Sequence, residues 1–325
     1  MGLSCPYCQQ SSVMKKGMRK KKQGDEQRYY CKTCQKWFVL GTFQHKTYHA
    51  EIIRDALSLY NQGLTFRQTA TTLNRRFKVH TTPSSVQRWN AEFKNICTYS
   101  PLRSTLQKHY GNTMIVAKNF KYQGLAYNFK YHRGKLDLLC DALPSLLAYI
   151  QRCETGCPQF FNTIQNRCSQ VPLEVTIEKT ADMPSADILL KQTAVAVSSY
   201  PTKKKRHSLV ENFLLVNDCV TVAVEVPVWL WEKNLRTSIA GHIDLIQIHD
   251  DTVYILDYKP DAAHEQEEQV ASQLYLYSSG LSFRTKIPLT RIRCAWFDEH
   301  TYVAFEPHKA HVHYTKTTSP SHQVP

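Results

Sequence analysis

Hydrophobic positions recur with two different periods along this chain, and the change of period divides it. From Tyr48 the apolar residues fall at helical spacing: Ile52, Ile53, Ala56, Leu57 and Tyr60 share one face, and Gln62-Gly63 ends that helix. A second short helix follows from Thr65, with Phe66, Ala70 and Leu73 inward. Thr82-Pro83 forms an N-cap and first-turn pair that opens a third, with Val86, Trp89 and Phe93 on its buried side. Three short helices with tight joints predict a helix-turn-helix whose third helix leaves Ser84, Ser85, Gln87 and Arg88 to face a major groove. A three-helix bundle that docks protein is the alternative.

Residues 96–206 are less legible, though Leu136 to Ile150 predicts one helix with Leu138, Leu139, Leu143, Leu146 and Leu147 apolar. Beyond residue 206 the order sharpens. A helix is predicted over His207–Val216, then strands over Val220–Val226, Ile243–His249 and Thr252–Lys259, the last two joined by an Asp250-Asp251 turn and the third stopped by Pro260. A Glu/Gln-rich helix over His264–Ser279 and strands over Arg291–Phe297 and Tyr302–Phe305 follow. The predicted fold class is α/β (α+β) with a C-terminal αβββαβ core.

At 325 residues and 42% hydrophobic, the chain has room for two or three domains with a buried core. The densest apolar run, Thr221 to Trp231, is short and carries Glu225, so no segment is long enough to span a bilayer. Without an apolar signal region the expected location is cytoplasmic. Charge is unevenly placed: 17 basic against 5 acidic residues over 1–94, 15 against 7 over 95–206, and 9 against 15 over 207–325. The basic front suits a phosphate backbone, which makes nucleic acid the expected partner, and metal ligation is a candidate task for the acidic end.

Eleven cysteines in such a chain argue for thiols, metal ligands or a cluster rather than a disulfide framework. Cys5-Pro-Tyr-Cys8 and Cys31-Lys-Thr-Cys34 are two knuckles that together supply the four thiolates of a tetrahedral structural zinc. Between them Lys15-Lys16-Gly-Met-Arg19-Lys20-Lys21-Lys22 precedes Gly24-Asp25, a basic hairpin that places Lys20, Lys21 and Lys22 on phosphates or, alternatively, forms a solvated charged face. Cys140, Cys153, Cys157 and Cys168 fall in one window as candidates for a second zinc or an iron–sulfur cluster, with small buried thiols as the alternative. Lys203-Lys-Lys-Arg206 reads as a solvated boundary, with a nuclear import signal or a phosphate contact as the alternatives.

The acidic end carries the candidate chemistry. Asp257 and Lys259 are two apart on a strand, so their side chains leave the same face, and Asp244 opens the neighbouring antiparallel strand and reaches that face too. Paired carboxylates bind a hard cation such as Mg²⁺ or Mn²⁺, which holds a phosphate oxygen and activates water. Lys259 would orient that water or stabilise the extra charge on phosphorus.

Two resemblances add to this. Residues 1–95 resemble the N-terminal region of insertion-sequence transposases, through Arg28-Tyr-Tyr-Cys31-Lys-Thr-Cys34-Gln-Lys-Trp-Phe38, Gly63-Leu-Thr-Phe-Arg-Gln-Thr-Ala70 and Ser84-Ser-Val-Gln-Arg-Trp89. That resemblance implies recognition of DNA sequence. It does not imply transposition, because no acidic-triad domain follows. Residues 207–306, with Gly241-His-Ile-Asp244, Leu256-Asp-Tyr-Lys259 and Gln273-Leu-Tyr-Leu-Tyr277, resemble the RecB-like branch of the PD-(D/E)xK nucleases, which includes CRISPR-associated exonucleases. The resemblance implies a restriction-endonuclease-like fold with Asp244, Asp257 and the Tyr258 carbonyl as metal ligands, His207 as an upstream ligand, Lys259 as the catalytic lysine and Glu225 as a supporting acid. It also implies that Gln273 and Tyr277 position the DNA strand.

The expected organisation is a zinc ribbon (1–45), a helix-turn-helix (46–96), a helical linker region (97–206), a nuclease domain (207–310) and a disordered tail (311–325). The expected function is metal-dependent cleavage of DNA targeted by the front end. A sequence-specific DNA-binding regulator or mobile-element accessory protein using the nuclease fold as scaffold is the alternative, and a single-strand or RNA end-processing nuclease is a third. A palindromic site would require a homodimer; mobile-element or CRISPR proteins are the other partners left open.

Overall fold

A computed structural model describes residues 5, 8, 10–19, 26–39, 43, 46–122, 125–157, 166–171, 173–180, 186–198 and 203–314. They form a mixed α/β protein built on one large mixed sheet. No described helix is long and apolar enough to cross a membrane.

The N-terminal unit is a three-stranded antiparallel ribbon of β1 (Val13–Arg19), β2 (Glu26–Cys31) and β3 (Trp37–Val39). Helices α1 (Ala50–Asn61), α2 (Phe66–Phe77) and α3 (Pro83–Glu92) follow. Thr65 and Gln68 form a reciprocal capping box on α2, and the Thr82 hydroxyl accepts the Ser85 amide at 3.1 Å to start α3. Of the residues at helical spacing, Ile52, Ile53, Ala56, Leu57, Ala70, Leu73, Val86, Trp89 and Phe93 are buried, whereas Tyr60 and Phe66 are half-buried and stack on each other.

The middle segment departs from the expected helical linker. After α4 (Ser100–Tyr110) it contributes a hairpin, β4 (Ile115–Tyr122) and β5 (Leu125–His132), and β5 pairs with β9 (Thr221–Glu232) of the C-terminal part. The helix expected over Leu136–Ile150 is two helices, α5 (Arg133–Leu139) and α6 (Pro144–Glu154). Pro144 has no amide hydrogen to donate and its ring excludes a helical carbonyl four residues back, so it serves as the first residue of α6. Short strands β6 (Asn166–Arg167), β7 (Leu173–Thr176) and β8 (Lys179–Thr180) and helix α7 (Ala186–Val197) complete it.

Helix α8 (Lys203–Asn217) leads into β9, β10 (Thr237–His249) and β11 (Thr252–Tyr258); α9 (Glu267–Thr285) then crosses to β12 (Ile292–Phe297), and β13 (Tyr302–Phe305) follows. Sheet order is β4-β5-β9-β10-β11-β12-β13-β8, with β6 alongside β10. The β11–β12 pair is parallel, as a helical crossover demands. His311–Tyr314, expected in a tail, form β14 against β7, and residues beyond 314 lie outside the described ones.

Alternation along the strands sorts the core into two layers. Val253, Ile255 and Trp296 pack with α5, α6 and α9, whereas Tyr254, Leu256, Ala295 and Phe297 pack with α7, α8 and the three front helices. The three front helices therefore share a core with the sheet. The seam is polar at one point. Asp218, between α8 and β9, accepts from Thr98 Oγ1 (3.0 Å) and Gln192 Nε2 (3.3 Å) on one oxygen, and from Thr221 N (2.9 Å), Thr221 Oγ1 (2.6 Å) and Gln247 Nε2 (3.1 Å) on the other. Beside it the fully buried Lys135 donates to the carbonyls of Leu215 (2.6 Å) and Asp218 (2.7 Å).

Burial pushes the Lys135 ammonium down to about 7, with Asp218 pulling the other way. An unfolded chain holds that proton to about 10.4. Between those values the unfolded state binds more protons, so this lysine makes stability rise with pH, by at most about 1.4 kcal/mol per pH unit. Denaturant unfolding of the wild type minus Lys135→Met is expected to show that rise from pH 7 to 9; a flat difference contradicts it.

Candidate functional site

The four knuckle cysteines converge. The Sγ atoms of Cys5 and Cys34 are 3.6 Å apart and those of Cys8 and Cys31 3.5 Å, and all four form one group able to hold a metal ion. Cys31 receives the backbone amide of Cys34, which with the neighbouring thiols outweighs burial and pulls its thiol down to about 6, favouring the thiolate a metal needs. A site of four sulfurs fits structural zinc. Lys20, Lys21 and Lys22, which follow β1 in the sequence, lie outside the described residues.

A second cluster lies across the middle of the large sheet. The β10–β11 register pairs Leu245 with Leu256, which sets Asp244 directly opposite Asp257. The β9–β10 register pairs Val224 with Leu245 and Val226 with Ile243, which sets Glu225 at the level of Asp244. Three acids thus stand in a row on adjacent strands. Glu225 is left-handed (φ 51°), and the ladder is interrupted there; such backbone in a bulky residue costs roughly 1–3 kcal/mol and gathers at functional sites. From α8, His207 Nδ1 approaches Asp244 Oδ2 at 3.4 Å, and Glu211 bonds to Glu225. His207, Glu211 and Asp244 form the second group of described residues able to hold a metal ion.

Glu211 was not among the residues read from the sequence. It sits one helical turn after His207, and that i, i+4 spacing was the available signal. One of its oxygens, Oε1, is buried without a hydrogen-bond partner and can accept a further ligand.

Lys259 completes the row. Its Nζ is 2.7 Å from Asp257 Oδ2 and 3.4 Å from Gln273 Oε1, and Gln273 Nε2 donates to the Tyr277 hydroxyl at 2.9 Å. Gln273 and Tyr277 are buried, so the pair supports Lys259 from behind, and Tyr277 lines the cleft wall. Gly241 has a local reason too: a Cβ there would overlap the Tyr277 ring and lie 3.0 Å from Cys168 Sγ. The glycine of Gly-x-x-Asp is what lets the tyrosine of Gln-x3-Tyr pack on β10. Tyr258 sends its amide to Asp244 Oδ2 (3.2 Å) and its ring against His207.

The row borders a cleft of about 130 Å³ walled by Tyr127, Arg167, Glu225, His242, Asp244 and Tyr277. Tyr127 stacks on His242 with centroids 3.5 Å apart, and Arg167 bonds the Tyr127 hydroxyl. Burial, then Arg167, push His242 down to about 3, so it is neutral. Burial, then Asp244, raise Asp257 to about 8 and Glu225 to about 7; burial, then Glu225, raise Glu211 well above the carboxylate range. Asp244 goes the other way: burial opposes its charge, but His207, Asp257 and Lys259 outweigh it. His207 and Lys259 are raised, their carboxylate neighbours outweighing burial.

Elsewhere, Ser84, Gln87 and Arg88 are exposed on α3, whereas Ser85 is half-buried with its hydroxyl 3.0 Å from Thr82 Oγ1. No three of Cys140, Cys153, Cys157 and Cys168 come within ligating reach of one another, so they do not form a second zinc or iron–sulfur site. Cys140, Cys153 and Cys168 are core thiols and Cys157 packs against that core. Comparison with protein-family models, curated proteins and solved structures finds no match to this chain.

Protein purified without chelator is expected to carry one zinc per chain by atomic emission, and Cys31→Ser to lose it. Zinc-free wild type of native fold contradicts the assignment.

Proposed function

We propose that this chain is a divalent-metal-dependent DNA nuclease of the PD-(D/E)xK type, similar to the RecB-like branch, brought to DNA by its zinc-ribbon and helix-turn-helix region. One observation carries the reading: Asp244 and Asp257 face each other across β10 and β11, with Lys259 two residues beyond Asp257 and ion-paired to it. The residues fit a cation. Two carboxylates meet, a third and a histidine stand beside Asp244, and the buried Glu211 Oε1 has no hydrogen-bond partner. Asp244 and Asp257 would hold Mg²⁺ or Mn²⁺, with the Tyr258 carbonyl, His207 and Glu211 as further ligands. Such an ion, when bound, polarises a phosphate oxygen and lowers the pKa of water.

The other roles belong to the chain's own groups. Lys259 stays an ammonium between two acids and supplies positive charge where a phosphate gains negative charge. Gln273 fixes the Lys259 ammonium, and Tyr277 fixes Gln273, so the lysine does not collapse onto Asp257 alone. The exposed Gln87 and Arg88 on α3 would meet base edges or phosphates. The basic front would supply salt-dependent affinity that the acidic end lacks.

End-labelled single- and double-stranded DNA are expected to be cut with Mg²⁺ or Mn²⁺ and spared in EDTA. Asp257→Ala is expected to reduce cutting to background and Lys259→Ala by about 100-fold or more, both retaining DNA binding. Equal cleavage by mutants and wild type, or a specific footprint with no cleavage under any metal, would overturn the reading.

A further inference from the structure

A second cleft, which the chemistry above does not use, lies where the end of α9 meets β9 and α6. Its volume is about 570 Å³, its aromatic walls are Tyr149, Trp229 and Phe283, and Arg152, Arg284 and Lys286 stand around it. No described residue lining it is acidic. The thiols of Cys153 and Cys157 are pushed up to about 12 by burial, so that lining is neutral.

The aromatics and cations are arranged together. Arg284 lies over the Trp229 ring at 4.3 Å and is tied to the Trp229 carbonyl by its Nε at 2.9 Å. The same guanidinium stands 5.3 Å from the Phe283 ring and Lys286 Nζ stands 4.6 Å from it, yet Phe283 remains 55% exposed. An exposed ring flanked by two cations, with no carboxylate to neutralise them, is the composition of a single-strand stacking platform. An apolar ligand would make no use of Arg152 and Lys286, and a duplex has no unstacked base to offer the ring. The cleft falls in the size range of small-ligand sites, about 300–1,000 Å³, which admits a nucleotide and not a helix.

The geometry points to this cleft as a binding site for an unpaired nucleotide of a DNA strand, its base on Phe283 and its phosphates at Lys286 and Arg152. The placement joins it to the acidic row, and to that extent it rests on the nuclease reading. Trp229 is four residues from Glu225 along β9, about 13 Å, and Phe283 is six residues beyond Tyr277 along α9, about 9 Å. A strand whose phosphate sits at the row reaches the cleft within a few nucleotides, so the site would hold a frayed or single-stranded end during cutting.

The test is fluorescence anisotropy of labelled oligodeoxythymidine and of a blunt duplex in EDTA, using the full chain. Phe283→Ala is expected to weaken single-strand binding by about tenfold, one stacked base's share, with duplex binding unchanged. Lys286→Ala should weaken it less, and Phe283→Trp should restore it. Single-strand affinity unchanged in Phe283→Ala, an equal loss for duplex and single strand, or binding of free thymidine monophosphate with no effect on the strand would each overturn the proposal. Because binding is read without metal, an uncut substrate in the cleavage assay counts against the catalytic reading and leaves this one standing.

Discussion

Burying like charges together is unfavourable, and this protein does so at the centre of its sheet. Glu211, Glu225, Asp244 and Asp257 converge from α8, β9, β10 and β11 where little water reaches. Three of the four groups respond by holding their protons more tightly, Glu225 to about 7, Asp257 to about 8 and Glu211 well above the carboxylate range, and Asp244 keeps its charge because His207, Asp257 and Lys259 stand beside it. Glu225 is also held in left-handed backbone. A fold has no stability reason to assemble such a set, since apolar residues of similar volume would pack there at less cost. The set makes sense if a divalent cation supplies the positive charge that one lysine and one histidine now supply in part.

The stability that tolerates this row comes from the two apolar layers on either side of the sheet, and the seam around Asp218 ties their elements together. Five hydrogen bonds from four residues meet on its carboxylate, drawing the segment after α3, helix α7 and strands β9 and β10 to one point. Asn217, its neighbour, accepts the Asn61 amide of α1 at 2.8 Å and donates to Ser58 at 2.9 Å. The front helices and the sheet thus form one packed body. The exposed face of α3 holds a fixed position relative to the acidic row, so under the nuclease proposal the sequence read and the bond cut would stand at a fixed offset.

The acidic row was legible because strands have a strict period of two: Asp257 and Lys259 had to share a face, and the short turn after His249 fixed the register that sets Asp244 against Asp257. The Thr82-Pro83 cap announced α3 for a similar local reason. The middle segment was illegible because β4 is an edge strand. Lys118, Asn119 and Lys121 are exposed along it, which protects an edge but hides the hydrophobic alternation of a strand. Leucine periodicity carried the expected Leu136–Ile150 helix straight through Pro144, where the backbone cannot follow. Glu211 is harder to read because its carboxyl meets Glu225 of β9, a contact that only the packing of α8 on the sheet creates, and its i, i+4 step from His207 is the sole local cue.

The most direct test of the cation site is a crystal soaked in Mn²⁺ and recorded at the manganese absorption edge. An anomalous peak between Asp244 and Asp257, within about 2.0–2.3 Å of their oxygens, is the result this account requires. A strong manganese signal elsewhere on the molecule, with the Asp257–Lys259 ion pair intact and no density between the two aspartates, would contradict it.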